Sequence, residues 1–156
     1  MSNSRRIYDP CARRRGSYQI AHGLLIDSSV FIEAERTRLR LPELASDEPM
    51  ALSAVTAGEL LHGVHRARDS VRRARREQFV EAILERFPVV EFGLPAARAY
   101  ARLWAELLSI GQPVGRRDLF IAATALAVDY GVLTADIRNF GRIPGPRVET
   151  WACHRR

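Results

Sequence analysis

The chain has 156 residues and a formal net charge of +6, and 47% of its residues are hydrophobic. This length is typical of a single domain with a hydrophobic core of its own. All 24 basic residues are arginine, which excludes mechanisms that need lysine, such as P-loop phosphate binding and Schiff-base chemistry. No window is apolar enough for a membrane span, and two cysteines, Cys11 and Cys153, are too few for a disulfide framework. We therefore expect a cytoplasmic protein without membrane attachment.

The positive charge is concentrated in residues 1–22, which contain five arginines and one aspartate. This segment supplies +4 of the total charge of +6, so the rest of the chain is nearly balanced. It shows no apolar periodicity and no apolar run long enough for a signal peptide. We predict a disordered basic arm over residues 1–22 and a single domain over residues 23–152. A solvated tail and an arm that binds nucleic acid by charge are both open interpretations.

Short apolar runs alternate with helical periodicity along the rest of the chain. The predicted strands cover residues 24–26, 50–53, 89–92, 132–134 and 148–151. The predicted helices cover residues 30–36, 55–67 and 69–87, a segment that starts at Pro95, and a segment that starts at Asp118 and ends before Gly131. Five strands separated by helices predict an α/β fold, a three-layer α/β/α sandwich with a central, mostly parallel five-stranded sheet.

Four acidic residues stand at positions where an open α/β sheet places its ligands. Asp27 and Asp136 follow strands, Asp118 stands where a helix begins, and Glu59 lies in the helix after the second strand. Each has an ordinary explanation as a cap, a turn residue or a surface residue. Carboxylates that converge at one sheet edge repel one another unless a cation lies between them. Oxygen ligands without clustered cysteine or histidine select Mg²⁺ or Mn²⁺, which are ions that catalyse phosphodiester hydrolysis.

Hydroxyl and guanidinium groups lie beside these acids in the sequence. The hydroxyls that can support metal ligands or their waters are Ser28, Ser29, Thr56 and Thr134. Arg116 and Arg117 directly precede Asp118, so they are candidates to hold a scissile phosphate. Arginines between residues 66 and 76 are interspersed with acids, which favours a solvated helix face over an RNA contact.

The helix after Pro95 carries an apolar face that contains Ala97, Tyr100, Ala101, Trp104, Leu107 and Leu108. Aromatic side chains on the apolar side of a helix more often pack in a core or an interface than stack on bases. We interpret Tyr100 and Trp104 as core or dimer contacts.

Four segments of the chain resemble the sequence blocks of the PIN domain, most closely those of the VapC toxins of bacterial toxin–antitoxin pairs. They are LIDSSVFIE, VTAGELLHGV, RRDLFIAATALA and LTADIRNFGRIPGPRVETW. The resemblance spans residues 24–151 and is specific because all four blocks keep their order and spacing. One departure is Asn139, which stands where relatives often carry an acid or a histidine.

The resemblance implies a PIN-like sandwich and a metal-dependent endoribonuclease, the toxin of a VapBC pair that hydrolyses RNA to inhibit translation. The catalytic and metal-binding acids of the family fall on Asp27, Glu59, Asp118 and Asp136, with Mg²⁺ or Mn²⁺ as the cofactor. Ser28, Thr134, Arg116 and Arg117 are the expected supporting or substrate-contacting residues. The resemblance also implies a homodimer and a cognate VapB-type antitoxin whose C-terminal segment covers the active site.

Three alternatives were weighed against this interpretation. Glu59 and His62 match half of a di-iron motif, but no other histidine has a glutamate three residues earlier. A receiver-like signalling domain also places an aspartate after its first strand, but it depends on a lysine, which this chain lacks. The remaining alternative is a catalytically inactive PIN-like module that binds RNA or a protein partner.

Overall fold

The fold is described from a computed structural model, which covers residues 23–40, 44 and 46–151. The predicted N-terminal arm, the domain limit at residue 152 and both cysteines lie outside the described residues.

A five-stranded sheet runs through the middle of the described part of the chain. Its strands are β1 (Leu24–Ile26), β2 (Met50–Ser53), β3 (Val89–Val90), β4 (Gly131–Thr134) and β5 (Val148–Thr150). The strand order is β3-β2-β1-β4-β5, and all four neighbouring pairs are parallel. The predicted parallel sheet is confirmed. Because the chain leaves β1 toward β2 and later returns to its other side as β4, the strand order reverses at β1, where open α/β sheets bind ligands.

Six helices connect and cover the strands in the described residues. They are α1 (Ser28–Thr37), α2 (Ala54–His65), α3 (Ser70–Arg86), α4 (Leu94–Ser109), α5 (Arg116–Ala127) and α6 (Ile137–Phe140). Alternate residues of β1 point to opposite faces of the sheet. Leu24 and Ile26 join one core with α1, α2 and α3, whereas Leu25 joins a second core with α4 and α5. This division confirms the three-layer sandwich. None of the helices in the described ranges is both long and apolar enough to cross a bilayer.

The edge strand β3 is shorter than predicted. It pairs only with the end of β2, through the partners Leu52↔Val89 and Ser53↔Val90. Because β2 ends at Ser53, where α2 begins, the next residues Glu91 and Phe92 have no strand opposite them. The apolar run that predicted two more strand residues continues instead into the loop before α4.

The predicted core face of α4 is rotated by about one residue. The buried residues of this helix are Ala96, Ala99, Leu103 and Leu107, whereas Trp104 is 43% exposed and Leu108 is 66% exposed. Two alanines in the buried stripe let α4 approach α5 closely, and α5 presents Ala122 and other small buried residues. Small side chains carry a weak apolar signal in a sequence, so the predicted face omits Ala96 and Ala99. Of its larger residues, Leu107 lies in the core and Tyr100 packs against it, whereas Trp104 and Leu108 are exposed.

Candidate active site

Asp27 lies at the end of the central strand β1 and caps the N-terminus of α1. It is 6% exposed, and its carboxylate accepts hydrogen bonds from the backbone N–H of Ser29 at 3.3 Å and from the Ser29 hydroxyl. Burial raises the pKa of Asp27, the hydrogen bonds from Ser29 and Thr134 oppose that rise, and the charge of Glu59 adds to it. The carboxylate is therefore held in one orientation at a helix end that favours negative charge.

Thr134 ties the end of β4 to Asp27. Its buried hydroxyl donates to Asp27 Oδ2 at 3.1 Å and accepts from the backbone N–H of Asp136 at 3.0 Å. The backbone N–H of Ala135 donates to the Ser29 hydroxyl at 3.0 Å. The two strand ends on either side of the topological switch are thus joined through side chains as well as through the sheet.

Glu59 reaches the same region from α2. Its Oε2 accepts from the Ser28 hydroxyl at 2.7 Å, and its Oε1 pairs with Arg117 Nη1 at 2.5 Å. The Glu59 side chain is 17% exposed, whereas that of Arg117 is 76% exposed. Thr56, on the same helix, instead lies 3.0 Å from the Ser53 hydroxyl within the cap of α2.

Helix α5 begins at Arg116, two residues before the predicted start at Asp118, so Asp118 lies in its first turn. The capping residue is Gly115, so Asp118 is the third helical residue. Burial and then the negative charge of Asp27 raise the pKa of Asp118 from 3.8 to about 6, with smaller contributions in the same direction from Glu59 and Asp136. The charge of Arg117 opposes this rise. Four carboxylates from distant parts of the chain therefore act on one another; we call Asp27, Glu59, Asp118 and Asp136 the carboxylate cluster.

Asp136 is the most exposed member of the cluster and stands before the short helix α6. The side-chain amide of Asn139 donates to Asp136 Oδ2 at 3.0 Å. The residue that departs from the family pattern is thus a hydrogen-bond partner of the fourth acid.

The two neighbouring arginines have different surroundings. The guanidinium of Arg116 lies 5.6 Å from the centre of the Trp104 ring, whereas Arg117 pairs with Glu59. Of these two arginines, Arg117 is the one that forms an ion pair with a member of the cluster. Sequence reasoning missed this pair because its members are 58 residues apart and no local pattern links them.

Known proteins are similar to this chain in sequence and in fold. A family model described as the PIN domain matches residues 24–146. The chain belongs to the PIN domain family. Within it, the chain is similar to ribonuclease VapC of Rickettsia bellii, with 31% identity over 128 residues that cover 82% of this chain and 96% of that protein. It is 36% identical over 102 residues to the tRNA(fMet)-specific endonuclease VapC of Salmonella typhimurium, covering 65% of this chain and 75% of that protein.

A solved structure of VapBC2 from Rickettsia felis, bound to a DNA fragment from its promoter, has a similar fold. The TM-score is 0.73 at 25% identity, and the match covers 82% of this chain and 98% of the solved chain. The VapC-like PIN family predicted from the four sequence blocks is confirmed.

The carboxylate cluster of this PIN domain suits a hard divalent cation because it offers oxygen donors and negative charge. All members of the carboxylate cluster offer oxygen, and their mutual repulsion contributes to the raised pKa of Asp118. Within residues 23–40, 44 and 46–151, however, no three acidic, histidine or cysteine side chains converge closely enough to hold one ion in the present arrangement. His62 and His65 are exposed on α2. An ion would draw on Asp27, Glu59 and Asp118, with Asp136 beside them.

The raised pKa of Asp118 makes the stability of this PIN domain depend on pH in metal-free buffer. The folded state binds this proton more tightly than the unfolded state, so ionised Asp118 destabilises the fold above about pH 6, and this cost vanishes below the unfolded pKa of 3.8. With EDTA present, we expect Asp118→Asn to raise the free energy of unfolding by about 1 kcal/mol at about pH 7.5, after allowance for partial exposure and a weakened helix-dipole interaction. Urea denaturation measures the gain, which should shrink as the pH falls from about 6 to about 4.

Asp47→Asn makes the same chemical change in the loop before β2 and serves as the control. A gain for Asp118→Asn that stayed constant across this pH range would contradict the proposed electrostatic cause.

Proposed function

We propose that this chain is a metal-dependent endoribonuclease and that it acts in the cytoplasm as the toxin of a VapBC-type pair. The observation that carries the proposal is the set of contacts at the carboxyl end of the central strands that joins Asp27 to Thr134 of β4 and Glu59 to Ser28, the neighbour of Asp27. Membership of the PIN family, with relatives named as ribonucleases, supports the same chemistry.

Each part of the site has a physical role in the proposed reaction. When bound, Mg²⁺ or Mn²⁺ supplies Lewis-acid activation and neutralises charge in phosphodiester hydrolysis. Ser29 and Thr134 hold the Asp27 carboxylate in a fixed orientation, and Ser28 does the same for Glu59. In this reaction the exposed guanidinium of Arg117 holds an RNA phosphate beside Asp118, and Arg116 is a second candidate directly before it in the chain.

Replacement of Asp27 by asparagine tests the role of the cluster. Asparagine keeps the size of the side chain and still caps a helix, so α1 should persist while one metal-binding charge is lost. We expect RNA cleavage in Mn²⁺ to fall by about 100-fold or more, with the circular dichroism spectrum unchanged. EDTA should stop cleavage by the wild-type protein, and added Mn²⁺ should restore it.

Asp47→Asn is again the matched control, because it removes one aspartate charge before β2, at the opposite end of the strand from the cluster. Equal cleavage by the Asp27→Asn and wild-type proteins would remove Asp27 from the mechanism. Metal-independent RNA binding by the wild-type protein, without cleavage, would favour the inactive PIN-like module.

A long groove leads away from the carboxylate cluster between α1, α2 and α3, with a volume of about 980 Å³. We call it the α1–α3 groove. Its apolar residues include Phe31, Ile32, Leu60, Phe79 and Val80, and its basic residues are Arg66, Arg68, Arg72, Arg76 and Arg117. Ile32 is 60% exposed, although the apolar side chains around it are largely buried. This combination suits an antitoxin segment with apolar and acidic side chains, whose end reaches Glu59 and Ser28 at the active site.

A second apolar surface lies on α4. Leu94, Trp104 and Leu108 are exposed and lie within one quarter of the helix circumference at about 100° per residue. Exposed apolar patches of this kind mark protein contacts. We assign this α4 face, with the exposed Trp104 ring, to the proposed homodimer.

One substitution placed on each surface separates the two proposed contacts. Ile32→Arg should weaken inhibition by the antitoxin about 10- to 100-fold, because it replaces an apolar anchor by a charge among arginines, while the oligomeric state stays that of the wild type. Leu108→Arg should shift the protein toward monomer in light-scattering measurements without weakening inhibition per protomer. If both variants kept the wild-type oligomeric state and inhibition, the two surface assignments would be wrong.

A further inference from the structure

Both carboxylate oxygens of Glu59 are engaged by groups of the same chain. Ser28 donates to Oε2 at 2.7 Å, and the guanidinium of Arg117 lies 2.5 Å from Oε1. A serine hydroxyl is neutral and is compatible with metal coordination by the same carboxylate. A guanidinium is not equally compatible, because two cations held by one carboxylate lie within about 5 Å of each other and repel.

The two sides of the Glu59–Arg117 pair differ in their freedom to move. The Glu59 side chain is largely buried and accepts a hydrogen bond from the Ser28 hydroxyl, so it remains at the cluster. The Arg117 side chain is mostly exposed, and its backbone lies in the first turn of α5. Its guanidinium can therefore move into water while its backbone stays in place. Exposed ion pairs are weak, so Arg117 is the partner that moves away when the pair separates.

The arrangement of the other acids is consistent with an exchange of Arg117 for a metal ion at Glu59. The part of the chain that the structure describes holds no three converging metal-ligand side chains, although charge acts between Asp118 and the other three acids. Among the residues that the structure describes, Glu59 is the acid of the cluster that forms an ion pair with an arginine.

We propose that Arg117 is an intramolecular counter-ion of Glu59 and that a divalent metal ion displaces it when the ion binds the carboxylate cluster. The inference rests on the proposed function, because the metal is the one that the nuclease requires. It assigns Arg117 two successive partners, Glu59 in the metal-free protein and an RNA phosphate after metal binding. Metal loading would thereby release the guanidinium that positions the substrate.

The test measures Mn²⁺ affinity rather than activity, through the electron paramagnetic resonance signal of free Mn²⁺ titrated with the purified full chain. Arg117→Gln should bind Mn²⁺ about two- to fivefold more tightly than wild type, which is the scale of an exposed ion pair. Arg117→Lys should stay near wild type because lysine retains the charge. Arg116→Gln is the matched control: it removes the same charge one residue earlier, from a guanidinium that lies over Trp104.

A double-mutant cycle with Glu59→Gln locates the effect. If Arg117 competes with the metal through Glu59, Arg117→Gln should give no further gain once Glu59 is replaced. A gain that persists in the Glu59→Gln background, or an equal gain for Arg116→Gln, would show a general charge effect and overturn the exchange. Both arginines are exposed, so circular dichroism should confirm that all variants fold.

The remaining outcomes distinguish this inference from the proposed function. If the wild-type protein binds Mn²⁺ and Arg117→Gln binds it equally or more weakly, the exchange is wrong and the nuclease proposal stands. If the wild-type protein does not bind Mn²⁺, the metal-dependent function fails and the exchange fails with it.

Discussion

A buried carboxylate is costly unless hydrogen bonds satisfy it, and the site depends on how Asp27 meets this condition. Asp27 lies where β1 passes into α1, and Ser29 and Thr134 donate to it from α1 and from the end of β4. The bonds from Ser29 are local, whereas the bond from Thr134 depends on the parallel pairing of β1 with β4, whose ends meet at one edge. The sheet topology thus places the first acid, and the hydrogen bonds hold its orientation.

Once Asp27 is in place, the other acids create an excess of negative charge that the chain relieves only in part. The pKa of Asp118 is raised to about 6, and Glu59 forms an ion pair with Arg117. An ion pair and a bound divalent cation are two ways to offset the same repulsion. The chain supplies the ion pair itself, and the divalent cation is the one that we propose for the nuclease.

The two surfaces near the site differ in composition. The α1–α3 groove combines apolar side chains with arginines and opens at the carboxylate cluster, whereas the α4 face is apolar and lies on the layer of α4 and α5. Arg116 lies 5.6 Å from the centre of the Trp104 ring on that face. The groove includes Glu59 of the cluster in its lining, whereas the α4 face contains none of the four acids.

The sequence by itself determined the order of the strands, the α/β class and the family, and it predicted the four acids as a site, because apolar periodicity and helix or strand ends are local properties of a chain. It was wrong where weak local signals competed, as in the alanine-rich part of the buried stripe of α4, the length of β3 and the start of α5. Only the tertiary structure decided that Arg117 meets Glu59 and that Thr134 meets Asp27. Those partners lie 58 and 107 residues apart, and the parallel crossovers, rather than any local pattern, bring them together.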